Sequence, residues 1–187
     1  EPMDDGNNGR MEIGGGVELY VNGYNGISVG EGATIEDARI VIDSEACSID
    51  MPVKFADGYD IARALGGDSK ENAKPFDWYS MSLEPYTPNQ PGTFPYLELL
   101  SGAKHTLRVT NGTISELNGK QYTGNEAEIP AGSPVTLTLT VNEDAFTAGD
   151  VFSSWPLSPT PRDLRIDGNV ITFTLSLIHI SEPTRLA

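Results

Sequence analysis

Two histidines, one cysteine and 27 acidic side chains are the residues with chemistry to offer, and their spacing leaves little of it catalytic. A hydrolytic triad needs a histidine beside both a nucleophile and an orienting acid. His105 alternates with Leu107 and Val109, so it reads as a histidine on a strand face at a domain boundary. The other, His179, lies in a C-terminal segment that is set aside below. His105 and Cys47 together fall short of the nitrogen and sulfur ligands of a zinc site. Cys47, with Ala46 and Ile49 beside it, reads as a buried, inert thiol.

The carboxylates are abundant but unfocused. Asp57-Gly-Tyr-Asp60, Glu31 with Glu36 and Asp37, and Asp43 with Glu45 gather oxygens locally, and calcium needs roughly six to eight of them. Asp57 and Asp60 are the best-placed ligands, yet no motif completes the shell, and solvated loop acids are the plainer expectation. Calcium is the one cofactor such residues would suit. Paired carboxylates also serve glycosidases, but nothing selects a pair here, and the chain is read as a non-enzyme. Trp78, Tyr86 and Tyr96 flank a stretch punctuated by Pro85, Pro88, Pro91 and Pro95. On a surface these rings would stack sugars; in strands they would fill a core.

The elements that must position these residues read as strands. Met11 and Ile13, then Val17, Leu19 and Val21, then Ile27 and Val29 recur at period two, as do Ala38, Ile40 and Ile42. Asn22-Gly23 and Asn25-Gly26 read as reversals between them. Short strands of this kind fit a β-sandwich or the rungs of a β-solenoid, and no fixed repeat can be counted. Asp60 to Leu65 is the best helical candidate, with Asp60 as N-cap and Gly66-Gly67 as the stop. Phe76 to Leu83 and Tyr96 to Leu100 read as strands. The expected organisation is a flexible end at 1–10, a β-rich module at 11–100 with a proline-rich connection at 85–95, and a second module at 104–174. The net charge of −15 speaks against nucleic acid. No apolar run is long enough to insert into a membrane. A single cysteine rules out an internal disulfide, a usage compatible with bacterial export.

In the second half, Ile129-Pro-Ala-Gly-Ser-Pro leads into a strand whose Val135, Leu137, Leu139 and Val141 face a core while three threonines face out. A strand ending at Asn111-Gly112-Thr113, the run Ala131-Gly132 to Val135 and Leu137, a Phe152 to Trp155 pair and a closing Ile171-Thr-Phe173-Thr follow in order. This order resembles the divergent B-repeat family related to internalin-type bacterial surface repeats. The resemblance implies a small β-grasp-like fold, with Trp155 packed on the Val135–Val141 strand, and a role as spacer or adhesion module. Its departures are Asn142 to Phe146, where a Gly-Tyr pair is usual, and Pro156 after the tryptophan. The run from Leu175 to Arg185 resembles a translated sequencing adapter, so 175–187 is expected to add nothing to the fold's function, although apolar Leu175, Leu177 and Ile178–Ile180 could prolong the Val170–Thr174 strand by backbone pairing. The overall expectation is a mainly β fragment of a bacterial surface or secreted protein, partnered by protein or glycan, with a carbohydrate-binding module as the alternative.

Overall fold

A computed structural model describes residues 9–27, 32–49, 53–80, 94–109, 112–141 and 161–175. It is mainly β, as the alternation requires, with fourteen strands and only short 3-10 turns among the described residues. The chain divides into two units, Glu1–Ala103 and Lys104–Ala187.

The first unit is a stack of parallel strands closed by antiparallel ones. Strands β1 (Arg10–Ile13), β3 (Gly32–Ile35) and β5 (Val53–Phe55) pair in parallel in that order. Strand β2 (Val17–Ile27) pairs in parallel with β4 (Ala38–Ile49). Arg10 lies beside Gly32, Val17 beside Ala38, Asn25 beside Cys47 and Ala33 beside Val53, so successive rungs are offset by 20 to 22 residues. This is the rung arrangement of a solenoid. The repeat escapes notice in the sequence because its corners differ. Three glycines, Gly14 to Gly16, join β1 to β2, whereas Glu36-Asp37 joins β3 to β4. Gly15 and Gly16 both take positive φ, which L side chains resist.

The far side of β4 is covered by antiparallel β8 (Tyr96–Arg108), which pairs in turn with antiparallel β6 (Tyr59–Gly67); β7 (Lys74–Pro75) follows. Cross-strand rows Leu19, Ile40, Leu99, Ala64 and Val21, Ile42, Leu97, Gly66 form the inner face. Ile40, Ile42, Leu97 and Leu99 are almost wholly removed from water and cluster with Ile35, Ile49 and Trp78. Each such side chain contributes roughly 1.5–3 kcal/mol by burial.

Three expectations are corrected here. Asn22-Gly23 and Asn25-Gly26 make no reversal: β2 runs straight through them, with only a register shift between Gly23 and Asn25. Asp60 to Leu65 is strand, not helix. Its six residues are too few to hold a helix alone, while β8 offers a full ladder, and the Asp60 carboxylate accepts the adjacent Ile61 amide instead of capping a turn. Phe76 to Leu83 is not a strand where it is described. Asp77 accepts the Tyr79 amide at 3.1 Å and starts a 3-10 turn over Trp78–Ser80.

In the second unit, β9 (Gly112–Leu117), β10 (Lys120–Gly124), β12 (Pro134–Val141), β13 (Pro161–Asp167) and β14 (Val170–Leu175) form one antiparallel sheet in the order β10–β9–β12–β14–β13. Strand β11 (Glu126–Pro130) pairs with the C-terminal half of β8. Leu107, Ala127 and Ile129 from that pair, with Val109 just after β8, share a core with Ile114, Val135, Leu137, Leu139, Ile171 and Phe173. The alternation expected of β12 is met: Val135, Leu137 and Leu139 are buried, and Thr136 and Thr140 are exposed. Asn118-Gly119, both at positive φ, makes the tight β9–β10 reversal. Leu175 is 2% exposed. Its N–H donates to Ser133 and its carbonyl accepts from Gly132. It therefore extends β14 by one residue into the tail, the prolongation that its apolar side chain allows; residues 176–187 lie outside the described residues.

Candidate functional site

The inner rows of the first unit dictate the outer ones. With Ile40, Leu97 and Leu99 facing in, alternation turns Arg39, Glu98 and Tyr96 to the opposite face. Glu98 is the focus there. Its Oε1 accepts from Arg63 Nη2 at 2.7 Å and from Arg39 Nε at 3.2 Å, and its Oε2 accepts from the Tyr96 hydroxyl at 3.3 Å. Arg39 also reaches Glu18 with Nη1 at 3.3 Å. Beside this network the Tyr20 hydroxyl stands 3.5 Å from Asp43 Oδ2.

Glu98 is 7% exposed, so its charge must be held by partners. Burial pushes its carboxyl upward, but the hydrogen bond and charge of Arg39, together with those of Arg63, outweigh that and hold it below the ordinary carboxylate range. Burial and the neighbouring Glu98 charge push the Tyr96 phenol up. Arg39 is driven further toward its charged form: burial opposes this, and the bonds to Glu98 and Glu18 prevail. A carboxylate so clamped is a poor proton donor or acceptor near neutral pH. Its chemistry is that of an ion-paired brace across β4, β8 and β6.

The residues singled out from sequence are scattered. Trp78 and Tyr96, at 4% and 3% exposure, offer no ring face for sugar stacking: Trp78 belongs to the core cluster, and Tyr96 is buried on the opposite face of the sheet beside Glu98. Trp78 meets Phe55 edge-on at 6.2 Å and tilts against Phe76 at 6.3 Å. Tyr86 lies outside the described residues. Among the described residues, the tyrosines that face solvent are Tyr20, Tyr24 and Tyr79. Asp57 lies in the exposed turn before β6. Asp60 has one oxygen committed to the Ile61 amide and to the Tyr79 hydroxyl. Partial desolvation and then that carboxylate push the Tyr79 phenol up, although most of the residue faces solvent. Among the described residues no three His, Cys, Asp or Glu side chains converge as metal ligands. His105 is half-buried on β8 opposite Ile129, and its Nε2 is buried with no hydrogen-bond partner. Of the second-unit signature, Val135, Leu137 and Phe173 are buried, Gly132 makes the turn before β12 at positive φ, and Gly112 opens β9. Asn111, Phe152 and Trp155 lie outside the described residues.

Sequence reasoning missed the Arg39–Glu98–Arg63 brace. Its members are far apart in the chain, and only the pairing of β8 between β4 and β6 unites them. No helix among the described residues is long and apolar enough to cross a membrane. No family model matches the chain, and no curated protein or solved structure matches it.

Proposed function

We propose that this chain is a non-catalytic structural segment of a bacterial cell-surface or secreted protein, spacing or presenting another domain and meeting protein or glycan partners. The observation that supports it is the parallel rung stack of the first unit. Each rung lengthens such a stack by one strand spacing, about 4.8 Å, so that the architecture makes distance. The clamped Glu98 carboxylate fits the same reading, because it ties three strands together and offers no proton. In the second unit, which we read as a B-repeat-like module on the sequence resemblance, Gly112 opens β9, Gly132 turns into β12, and Val135, Leu137 and Phe173 are buried. Single-molecule stretching through the two termini is the test. A spacer gives discrete unfolding events at forces comparable to those of immunoglobulin-type modules in the same device. Featureless extension would refute the role.

A second reading, carbohydrate binding, moves to other residues. Tyr20 and Tyr24 are 63% and 70% exposed on β2, and the Tyr20 hydroxyl stands 3.5 Å from Asp43 Oδ2. Such rings beside charged hydrogen-bonding groups suit sugar stacking. Selective retention on a glycan array that is lost in Tyr20→Ala would establish it. Array silence would leave the spacer reading alone.

A further inference from the structure

We propose that the outer edge of β13 is a self-association surface, on which a second copy of this chain pairs its own β13 antiparallel about a twofold axis at Ile166. Arg165 of each copy then faces Asp167 of the other.

Among the described residues β13 pairs only with β14 and ends its sheet. The register shows which of its backbone groups face outward. The Leu139 N–H donates to the Asn169 carbonyl at 2.9 Å, so Asn169 and, two residues on, Ile171 turn their backbone groups to β12. Val170 and Thr172 therefore turn theirs to β13, where Asp167 and Arg165 stand opposite them. Ile166, between those two, points its N–H and C=O away from β14 and into the open edge. Its side chain is equally open. Ile166 lies beside Ile171 at the end of the core-facing row Leu137–Ile171; Ile171 is 0% exposed and Ile166 45%. Leu164, on the same side, is 43% exposed. Every residue from Arg162 to Val170 is exposed, so the strand's side chains lie open on both faces.

Edge strands that avoid pairing carry proline, bulges or charges. Strand β13 has the first two only in its first half, at Pro161 and in the register shift between Arg162 and Arg165, where Asp163 takes positive φ. The second half is regular, and its charges select a partner. A second β13 that matches the outward groups of Ile166 can be centred on Arg165, Ile166 or Asp167. Centring on Arg165 sets arginine against arginine, and centring on Asp167 sets acid against acid, both unfavourable across a strand pair. Centring on Ile166 lets the two Ile166 residues exchange both backbone bonds and meet on the core-facing side. It also sets Arg165 against the second copy's Asp167 twice, the self-complementarity that a twofold interface requires. Neither Arg165 nor Asp167 has an ion pair among the described residues. The chain's charge of −15 opposes this contact only weakly, because residues 104–187 hold nine of the 27 acids and six of the 12 bases, and salt screens the rest.

Sedimentation of the full chain over a concentration series tests this, with hydrogen exchange to follow the edge. The expected result is a reversible monomer–dimer equilibrium in which the Ile166 amide exchanges fast in the monomer and slowly in the dimer. Arg165→Asp and Asp167→Arg, both at exposed positions, should each weaken the dimer by about tenfold, as exposed pairs turned repulsive do. Combining the two restores the pairs in reversed sense and should restore the dimer. The register is read by oxidation in a Cys47→Ser background. Ile166→Cys should form a disulfide-linked dimer, since facing residues of a bonded antiparallel pair stand about 5.5 Å apart. Leu164→Cys should not, because it faces the second copy's Gly168. Four results overturn the proposal: a chain that stays monomeric at every concentration, an Ile166 amide already protected in the monomer, a double variant no better than the single ones, or Leu164→Cys cross-linking as readily as Ile166→Cys.

Discussion

Replacing Glu98 by glutamine keeps the shape of the side chain and removes its charge, and it isolates what the double arginine clamp is worth. Glu98 accepts two guanidinium hydrogen bonds, at 2.7 and 3.2 Å. Hydrogen bonds to a charged group contribute about 1.5–3 kcal/mol each, against about 1 kcal/mol for neutral ones, so the gross loss is roughly 2 kcal/mol. The arginine side chains are 41% and 44% exposed, and water screens them. Glutamine is also cheaper to bury than a carboxylate. The net cost of Glu98→Gln at neutral pH is therefore about 1–2 kcal/mol. The sign of its pH dependence follows from the lowered carboxyl. A group whose folded pKa is depressed stabilises above its unfolded value, about 4.3 for glutamate, and loses that contribution as the pH falls through the folded value. The difference between the two proteins should be full at pH 7 and should shrink steadily below about pH 4. Urea unfolding in a Trp155→Phe background, where buried Trp78 is the remaining tryptophan, measures it at each pH. Equal stabilities at pH 7, or a gap that does not change on acidification, would refute the clamp.

Ending the chain after Leu175 should leave thermal stability within about 1 kcal/mol, whereas ending it after Thr174 should cost about 2–4 kcal/mol through the lost buried side chain and its bonds to Gly132 and Ser133; calorimetry of the two truncations separates them. Asn118→Ala should destabilise the second unit by about 1–2 kcal/mol, since alanine resists the positive φ and removes the Oδ1 acceptor of the Thr136 amide at 2.7 Å; denaturant titration showing a neutral substitution would contradict this. Millimolar calcium should leave Tm unchanged, because Asp60 is engaged by Tyr79 and Ile61; a rise abolished by Asp57→Asn would show instead that this loop binds the ion.

Alternation was the legible part of this fold. Val135 to Val141 and Ala38 to Ile42 show their buried faces directly in the residue order, because one side of each strand meets a core. What alternation does not encode is the partner. The same period two serves a hairpin and a parallel rung, and Asn22-Gly23 looks like a turn although β2 merely bulges there. Tertiary pairing also overrode local preference at Asp60 to Leu65, where β8 supplies the ladder that a six-residue helix lacks. The Glu98 brace was illegible for a related reason: Arg39, Arg63 and Glu98 each look like ordinary surface charges until strand order sets them side by side. Trp78 and Tyr96 show the reverse, since aromatic rings near prolines suggest a surface, but here Trp78 joins the core and Tyr96 is buried against the Glu98 network.

The central structural claim, on which the spacer role hangs, is that β2 and β4 are parallel neighbours with Asn22 beside Asp43. A short bifunctional thiol reagent spanning about 5 Å, the spacing of adjacent strands, tests it directly. In a Cys47→Ser background, Asn22→Cys with Asp43→Cys should cross-link rapidly within the monomer. Asn22→Cys with Arg39→Cys should not, because four residues along a strand add about 13 Å. Efficient cross-linking of the second pair, or none of the first, would contradict the rung stack.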